Sequence, residues 1–236
     1  MSIGGGSRVL VIGGSSGIGL ATAAMAAKEG AAVTIAARSP ARLATAAKTF
    51  TSAGTAVLDV TNASAVEAFF EKCANWHHVV VAGSATNVGP VHALSLQDAR
   101  VAMDSKFWGA YHVGRYARIA AGGSLTFVSG VYSIRPSSQA VLQGAINAAL
   151  EGLARGLALE LAPIRVNTVS PGLTATQLWD RLESSVREAM YREKASALPA
   201  GRIGQPEDVA RAILFLAANP STTGTTLLVD GGDALV

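Results

Sequence analysis

Three glycines spaced Gly13-x-x-x-Gly17-x-Gly19 follow a short apolar run, Arg8–Ile12, and open an alanine-rich stretch, Gly17–Glu29. That spacing suits a turn that holds phosphate. Gly13 permits the sharp bend, Gly17 lets backbone approach a pyrophosphate, and Gly19 lets helix and strand pack closely. A helix that starts there presents free N–H groups and a partial positive charge to an anion. Ser15, Ser16 and Ile18 complete the loop, so Gly13, Ser15, Ser16, Gly17, Ile18 and Gly19 are the expected first contacts of a dinucleotide.

The form of the dinucleotide is decided at the end of the next strand, Ala32–Ala37. An Asp or Glu there would bond a ribose 2′-OH and repel a 2′-phosphate. The chain has Ala37, followed by Arg38 and Ser39. A guanidinium can grip a 2′-phosphate bidentately and a serine can add a hydroxyl. NADP(H) is the expected cofactor.

Strands and helices alternate along the chain, which predicts an α/β fold, doubly wound in the Rossmann manner, with a parallel sheet covered on both faces. Strands are expected at 8–12, 32–37, 55–58, 79–81, 124–128, 165–169 and 226–229. Helices are expected at 17–29, from Ser39-Pro40 onward, and at 63–73, 96–120 and 138–161. Another opens at Pro206-Glu207-Asp208. Ser39 is an N-cap with Pro40 at the first helical position. With no repeat, linker or low-complexity tract, residues 1–236 read as one domain. The looser segment at about 173–202 reads as a substrate lid containing Leu178, Trp179, Leu182 and Met190.

Composition narrows the function classes. Nineteen Lys and Arg against sixteen Asp and Glu give a net charge of +3 without a block of like charges, which argues against nucleic acid. A single cysteine, Cys73, excludes an internal disulfide and a cysteine-based zinc site. His77, His78, His92 and His112 form no HExxH pattern, so no metal is expected. The segment Met1–Gly6 lacks the features of a signal peptide, and no apolar run is long enough to span a bilayer. A soluble, cytoplasmic protein without a membrane partner is expected.

The chain resembles the short-chain dehydrogenase/reductase family over almost its whole length. The matching stretches are Gly13–Gly19, Leu58-Asp59-Val60, Ala82-Gly83, Arg165-Val166-Asn167 through Ser170-Pro171-Gly172, Gly204-Gln205-Pro206-Glu207-Asp208 and Val229-Asp230-Gly231-Gly232. The resemblance implies a seven-stranded sheet. It implies Asp59 and Val60 at the adenine and Ala82 and Gly83 beside the adenosine ribose. Pro171, Gly172, Thr174 and Thr176 would surround the nicotinamide carboxamide and phosphates. It also implies a homo-tetramer or homo-dimer built on the long helices at 96–120 and 138–161.

The same resemblance marks a departure. The family's catalytic Ser, Tyr and Lys fall on Gly130, Gln143 and Asn147, and its Asn on an earlier helix falls on Lys106. Gln143 can orient a carbonyl through its NH₂ but cannot donate a proton near neutral pH, and Asn147 can still bond the nicotinamide ribose. Lys106 could supply a proton or an electrostatic clamp. Tyr132 is the best replacement acid nearby, with Ser129 and Arg135 weaker candidates. The family's glycine loop also begins with Thr and its fourth strand ends in Asn-Asn-Ala-Gly, where this chain has Ile12 and Val80-Val81-Ala82-Gly83. Removing both polar partners together avoids leaving one unpaired. The expected function is an atypical NADP(H)-dependent oxidoreductase acting on a small carbonyl or activated C=C substrate. The competing readings are a non-catalytic NADPH-binding module or redox sensor, and a structural subunit. Slow oxidation of NADPH by any carbonyl or enone would separate the first from the others.

Overall fold

A computed structural model of the chain describes residues 3–83 and 86–236. Met1 and Ser2, at the head of the segment searched for a signal peptide, lie outside the described residues. Seven strands form one parallel sheet: β1 Arg8–Ile12, β2 Ala32–Ala37, β3 Gly54–Val57, β4 Trp76–Val81, β5 Ile119–Val128, β6 Arg165–Pro171 and β7 Thr226–Val229. Their order is β3-β2-β1-β4-β5-β6-β7, so the winding reverses between β1 and β4. A crevice opens at such a reversal, outside the carboxyl ends of the strands.

Period-two alternation in buried strands loads both faces of the sheet. On β1, Val9 and Val11 join one apolar cluster and Leu10 and Ile12 the other. Helices α1 Gly17–Lys28, α2 Pro40–Ala47 and α8 Pro206–Ala218 cover the first face through Ala23, Leu43 and Ile213. Helix α3 Ala63–Glu71 covers the second face with α5 Gly109–Tyr116 and α6 Val141–Glu160, through Phe70, Val113 and Leu150. Their ends follow local rules. Ser39 Oγ accepts from Arg42 N–H at the start of α2, with Pro40 at the first position. Gln205 and Asp208 close a reciprocal capping box on α8.

The long helix expected at 96–120 is not one helix. It divides into α4 Leu96–Met103, a π turn Asp104–Trp108 and α5, and residues 119–120 belong to β5. In the π turn the Gly109 N–H reaches the Asp104 carbonyl, five residues back. Trp76 pairs with Ile119 at the start of the β4–β5 ladder, so strand pairing overrides the helical pattern there. Helix α6 starts at Val141 rather than Ser138, after a Ser137 hydroxyl accepts the Gln139 N–H. The segment after β6 carries α7 Ser184–Ala197, none of whose residues is buried. No described helix is long and apolar enough to cross a membrane.

Candidate functional site

The carboxyl ends of β1, β4, β5 and β6 deliver the chemistry-bearing loops to one edge of the sheet. Gly13 follows β1 with φ +83°, and Gly83 follows β4. The two backbones touch so closely that a Cβ on Gly13 would lie 2.3 Å from the Gly83 nitrogen. A Cβ on Gly19 would meet the Gly13 carbonyl oxygen at the same distance. Both glycines are therefore fixed by packing. Gly17 needs its residue type for a different reason, a φ of +52° at the first turn of α1.

That turn fits a phosphate. Ser16 is the N-cap of α1, yet its own side chain makes no cap bond and the first turn holds no acid. The Gly17 N–H donates instead to Gln177 Oε1 at 2.9 Å, an oxygen brought over from the segment after β6. Thr176 lies against Gly17 on the same side. A cleft of about 580 Å³ opens there, lined by Gly17, Leu20, Thr176, Gln177, Arg187 and Tyr191 among others. Lys106, Ser129 and Asn147 stand outside that lining. Thr174 Oγ1 donates to the Gly172 carbonyl, and Pro171 ends β6.

Past β3, Asp59 accepts from the Thr61 N–H and hydroxyl, and Val60 packs where a Cβ on Gly109 would fall. Ala82 N–H donates to the Ile12 carbonyl. Ile12 and Val81 are register partners and both are buried. The two apolar replacements read from sequence thus sit side by side. Arg38 is exposed and forms no ion pair among the described residues. Ser39 spends its hydroxyl acceptor on the α2 cap.

A second cluster lies past the end of β5. Lys106, in the π turn, is buried and donates to the Ser129 carbonyl at 2.8 Å and to Asn147 Oδ1 at 2.6 Å. Asn147 Nδ2 donates to the Gly130 carbonyl at 3.0 Å. Gln143 Nε2 faces Asn147 Oδ1 at 3.4 Å. The amide orientations follow from the lysine, which can only donate. Asn147 must turn its oxygen to Lys106, its nitrogen then meets Gly130, and Gln143 must approach with its own nitrogen. Gln143 Oε1 is left buried with no donor among the described residues. The NH₂ expected to orient a carbonyl is thus directed at Asn147. Gly130 makes room for the arrangement, since a Cβ there would lie 2.8 Å from Asn147 Nδ2.

Burial lowers the Lys106 ammonium to about 8, while the nearby Glu151 carboxylate acts the other way. Glu151 is itself buried and accepts the Ser129 hydroxyl at 2.9 Å. It was missed in the sequence, although Gln143, Asn147 and Glu151 recur at intervals of four and so share one face of α6. Tyr132 stands apart in a short 3₁₀ turn, about a third exposed, and no hydrogen bond joins it to Lys106. Arg135 points elsewhere, bonding the Val236 oxygen at 2.7 Å and pairing with buried Asp233 at 3.2 Å. Lys194 of α7 completes that group at 2.6 Å from Asp233. No cluster of three metal-ligating side chains occurs among the described residues.

Comparison with known proteins bears on this geometry. A family profile described as Enoyl-(Acyl carrier protein) reductase matches residues 12–233. The chain is similar to Short-chain dehydrogenase/reductase ATR9 of Stachybotrys chlorohalonatus (strain IBT 40285), 31% identical over 245 residues and 96% of each protein. It is similar to the crystal structure of a small-chain dehydrogenase in complex with NADPH. That match has a TM-score of 0.83 and 36% identity, and covers 98% of this chain and 99% of the other. It is also similar to the NADPH-bound structure of a short chain oxidoreductase from Pseudomonas aeruginosa PAO1 containing an atypical catalytic center. There the TM-score is 0.88 and the identity 30%, over 98% of this chain and 97% of the other.

Proposed function

Since the chain belongs to the short-chain dehydrogenase/reductase family, we propose that it is an atypical NADP(H)-dependent oxidoreductase whose proton comes from a lysine rather than a tyrosine. The substrate in this reading is a small carbonyl or activated C=C compound, the latter in keeping with the reductase named by the family profile. One domain carries the whole site, and the segment at about 173–202 serves as its lid. Two similar proteins bind NADPH, and the glycine contacts described above fit a pyrophosphate.

When bound, NADPH supplies a hydride. Gly13, Ser15, Ser16, Gly17, Ile18 and Gly19 would hold its phosphates, with Pro171, Gly172, Thr174 and Thr176 closing over the nicotinamide end. Asp59, Val60, Ala82 and Gly83 would take the adenosine, and Arg38 with Ser39 the 2′-phosphate. Asn147 would hold the nicotinamide ribose. The side of the site that handles protons belongs to this chain.

The observation that carries the reading is the seat of Lys106, 2.6 Å from Asn147 Oδ1 in the buried floor past β5. The resemblance puts the family's lysine at 147 and its asparagine at 106, so in this reading the two residue types have exchanged places. The ammonium still reaches the same amide, from the opposite helix. Two of its three donors are engaged by Ser129 and Asn147, leaving one to deliver or retain a proton. An ammonium near 8 retains that proton at neutral pH and releases it at modest cost. Ser129 fixes the lysine through its carbonyl, and Gln143 steadies Asn147.

The competing acid is Tyr132, about a third exposed, whose hydroxyl makes no hydrogen bond among the described residues. The inward commitment of Lys106 favours the alternative of an NADPH-binding module without turnover. The test is a screen of carbonyls and enones with NADPH, followed by Lys106→Met and Tyr132→Phe on any substrate found. A general acid contributes about 10²–10⁴-fold, so Lys106→Met should lose activity on that scale while NADPH binding persists. Full activity in both variants refutes the lysine and tyrosine assignments, and no NADPH oxidation by any compound favours the binding module. The exposed Trp108, Tyr111 and Leu159 on the helices beside the site support assembly as a homo-tetramer or homo-dimer, acting in the cytoplasm.

A further inference from the structure

Glu151 has no part in any of the roles above, yet it is one of the few charged side chains buried in the protein. Its carboxylate accepts the Ser129 hydroxyl at 2.9 Å, and the carbonyl of that same serine accepts Lys106 Nζ at 2.8 Å. Among the described residues Glu151 forms no ion pair with any arginine, lysine or histidine, and neither does Lys106 with any acid. Two opposite charges are therefore buried on either side of one serine. An isolated buried charge is costly, whereas an opposite charge nearby offsets part of that cost.

Other charged groups near the π turn are engaged elsewhere or face solvent. On α4, Asp98 accepts from Ser95 and Asn87. On α5, His112 bonds the Val60 carbonyl and Arg115 lies over the Tyr116 ring. Asp104, in the π turn itself, is exposed. The field that opposes desolvation at Lys106 comes from Glu151 of α6.

We propose that Glu151 is a positioning residue for Lys106: through the Ser129 bridge its carboxylate supplies the counter-charge that keeps the lysine protonated and seated on Asn147. It touches neither substrate nor cofactor. The proposal deepens the reading of Lys106 as proton donor and makes the donor a unit of three residues, Glu151, Ser129 and Lys106. It also accounts for a polar face on a helix otherwise packed by Ile146, Leu150 and Ala154.

The test reads the lysine directly. The chain has five lysines, so protein labelled with ¹³C at lysine Cε gives five signals, and Lys106→Met identifies the one that titrates near pH 8. Glu151→Gln keeps the shape and an acceptor for Ser129 but removes the charge. Its Lys106 midpoint should move down by about one pH unit, a tenfold change in acidity, while Glu151→Asp should stay nearer the parent. If Glu151→Gln fails to fold, Glu151→Met removes the same charge at similar side-chain volume and must move the midpoint in the same direction. An unmoved or raised midpoint in the variant that folds overturns the proposal. The titration uses resting protein, so a failure to find turnover would refute the oxidoreductase reading without touching Glu151. An unmoved midpoint would do the reverse.

Discussion

Replacing Gly130 by alanine isolates the contact that holds this site in its present form. Gly130 has an extended backbone, φ 161° and ψ 153°, so a side chain there meets no backbone strain. The obstacle is Asn147, whose Nδ2 would lie 2.8 Å from the new Cβ. Asn147 cannot simply withdraw, because the Gly130 carbonyl and Lys106 hold its two ends. Overpacking of this kind costs about 1–3 kcal/mol. The entropy removed from the unfolded chain by Gly→Ala returns about 0.4–1 kcal/mol. Gly130→Ala should therefore destabilise by about 1–2 kcal/mol. With Asn147→Ala already in place the obstructing amide is gone, and the same substitution should be neutral or mildly stabilising. Urea unfolding of the parent, both single variants and the double variant gives the coupling, expected at about 1–3 kcal/mol. Effects at Gly130 that agree within about 0.5 kcal/mol in the two backgrounds would refute the packing argument. The same geometry bears on restoring Ser, Tyr and Lys at 130, 143 and 147. A lysine at 147 would face the ammonium of Lys106, so such a reconstruction has to include Lys106→Asn.

Two further outcomes are expected. Arg38→Ala should weaken NADPH by tenfold or more, through loss of a charge-assisted contact of about 1.5–3 kcal/mol, and leave NADH unchanged; equal affinity of the parent for both cofactors, measured by fluorescence titration, would overturn this. Burial, with help from Arg165 and His77, lowers His78 from 6.5 to about 4. The unfolded chain takes up that proton near pH 6.5 and the folded chain resists it until near 4. Stability from this residue is thus complete above about pH 6.5 and falls by up to about 3 kcal/mol as pH drops to about 4. Urea midpoints of His78→Gln should decline less over that range than those of the parent, and parallel declines would count against the histidine.

Much of this was legible in the residues. The glycine loop and the cap at Ser39 are local features, governed by a few neighbouring residues, and they emerged where expected. So did β1, β2 and β7, whereas β3 is shifted by one residue, β4 and β5 begin earlier, at Trp76 and Ile119, and β6 runs on to Pro171. The pairing of Ile12 with Val81 was inferable because both replaced polar residues at once. What was hidden depended on contacts distant in sequence. Lys106 meets Asn147 across 41 residues, and no periodicity in either segment announces it. Glu151 shares a helix face with Gln143 and Asn147, but only its partner Ser129, on another element, connects it to the site. The orientation of Gln143 is hidden for the same reason. An isolated amide offers either end, and the lysine that decides between them lies on another helix.

The π turn at Asp104–Trp108 has a consequence for how this region tolerates change. One residue beyond the count of an α-helical turn amounts to a phase slip of about 100° between α4 and α5. The aim of Lys106 is thus set by chain length as well as by residue type. Deleting a single residue from the turn would let the two helices merge into one regular helix, with the composition of the site untouched. Lys106 would then be rotated away from Asn147 as one segment turned against the other. A gap of one residue here is equivalent to losing the lysine, although a comparison that scores matching residue types would register almost no difference.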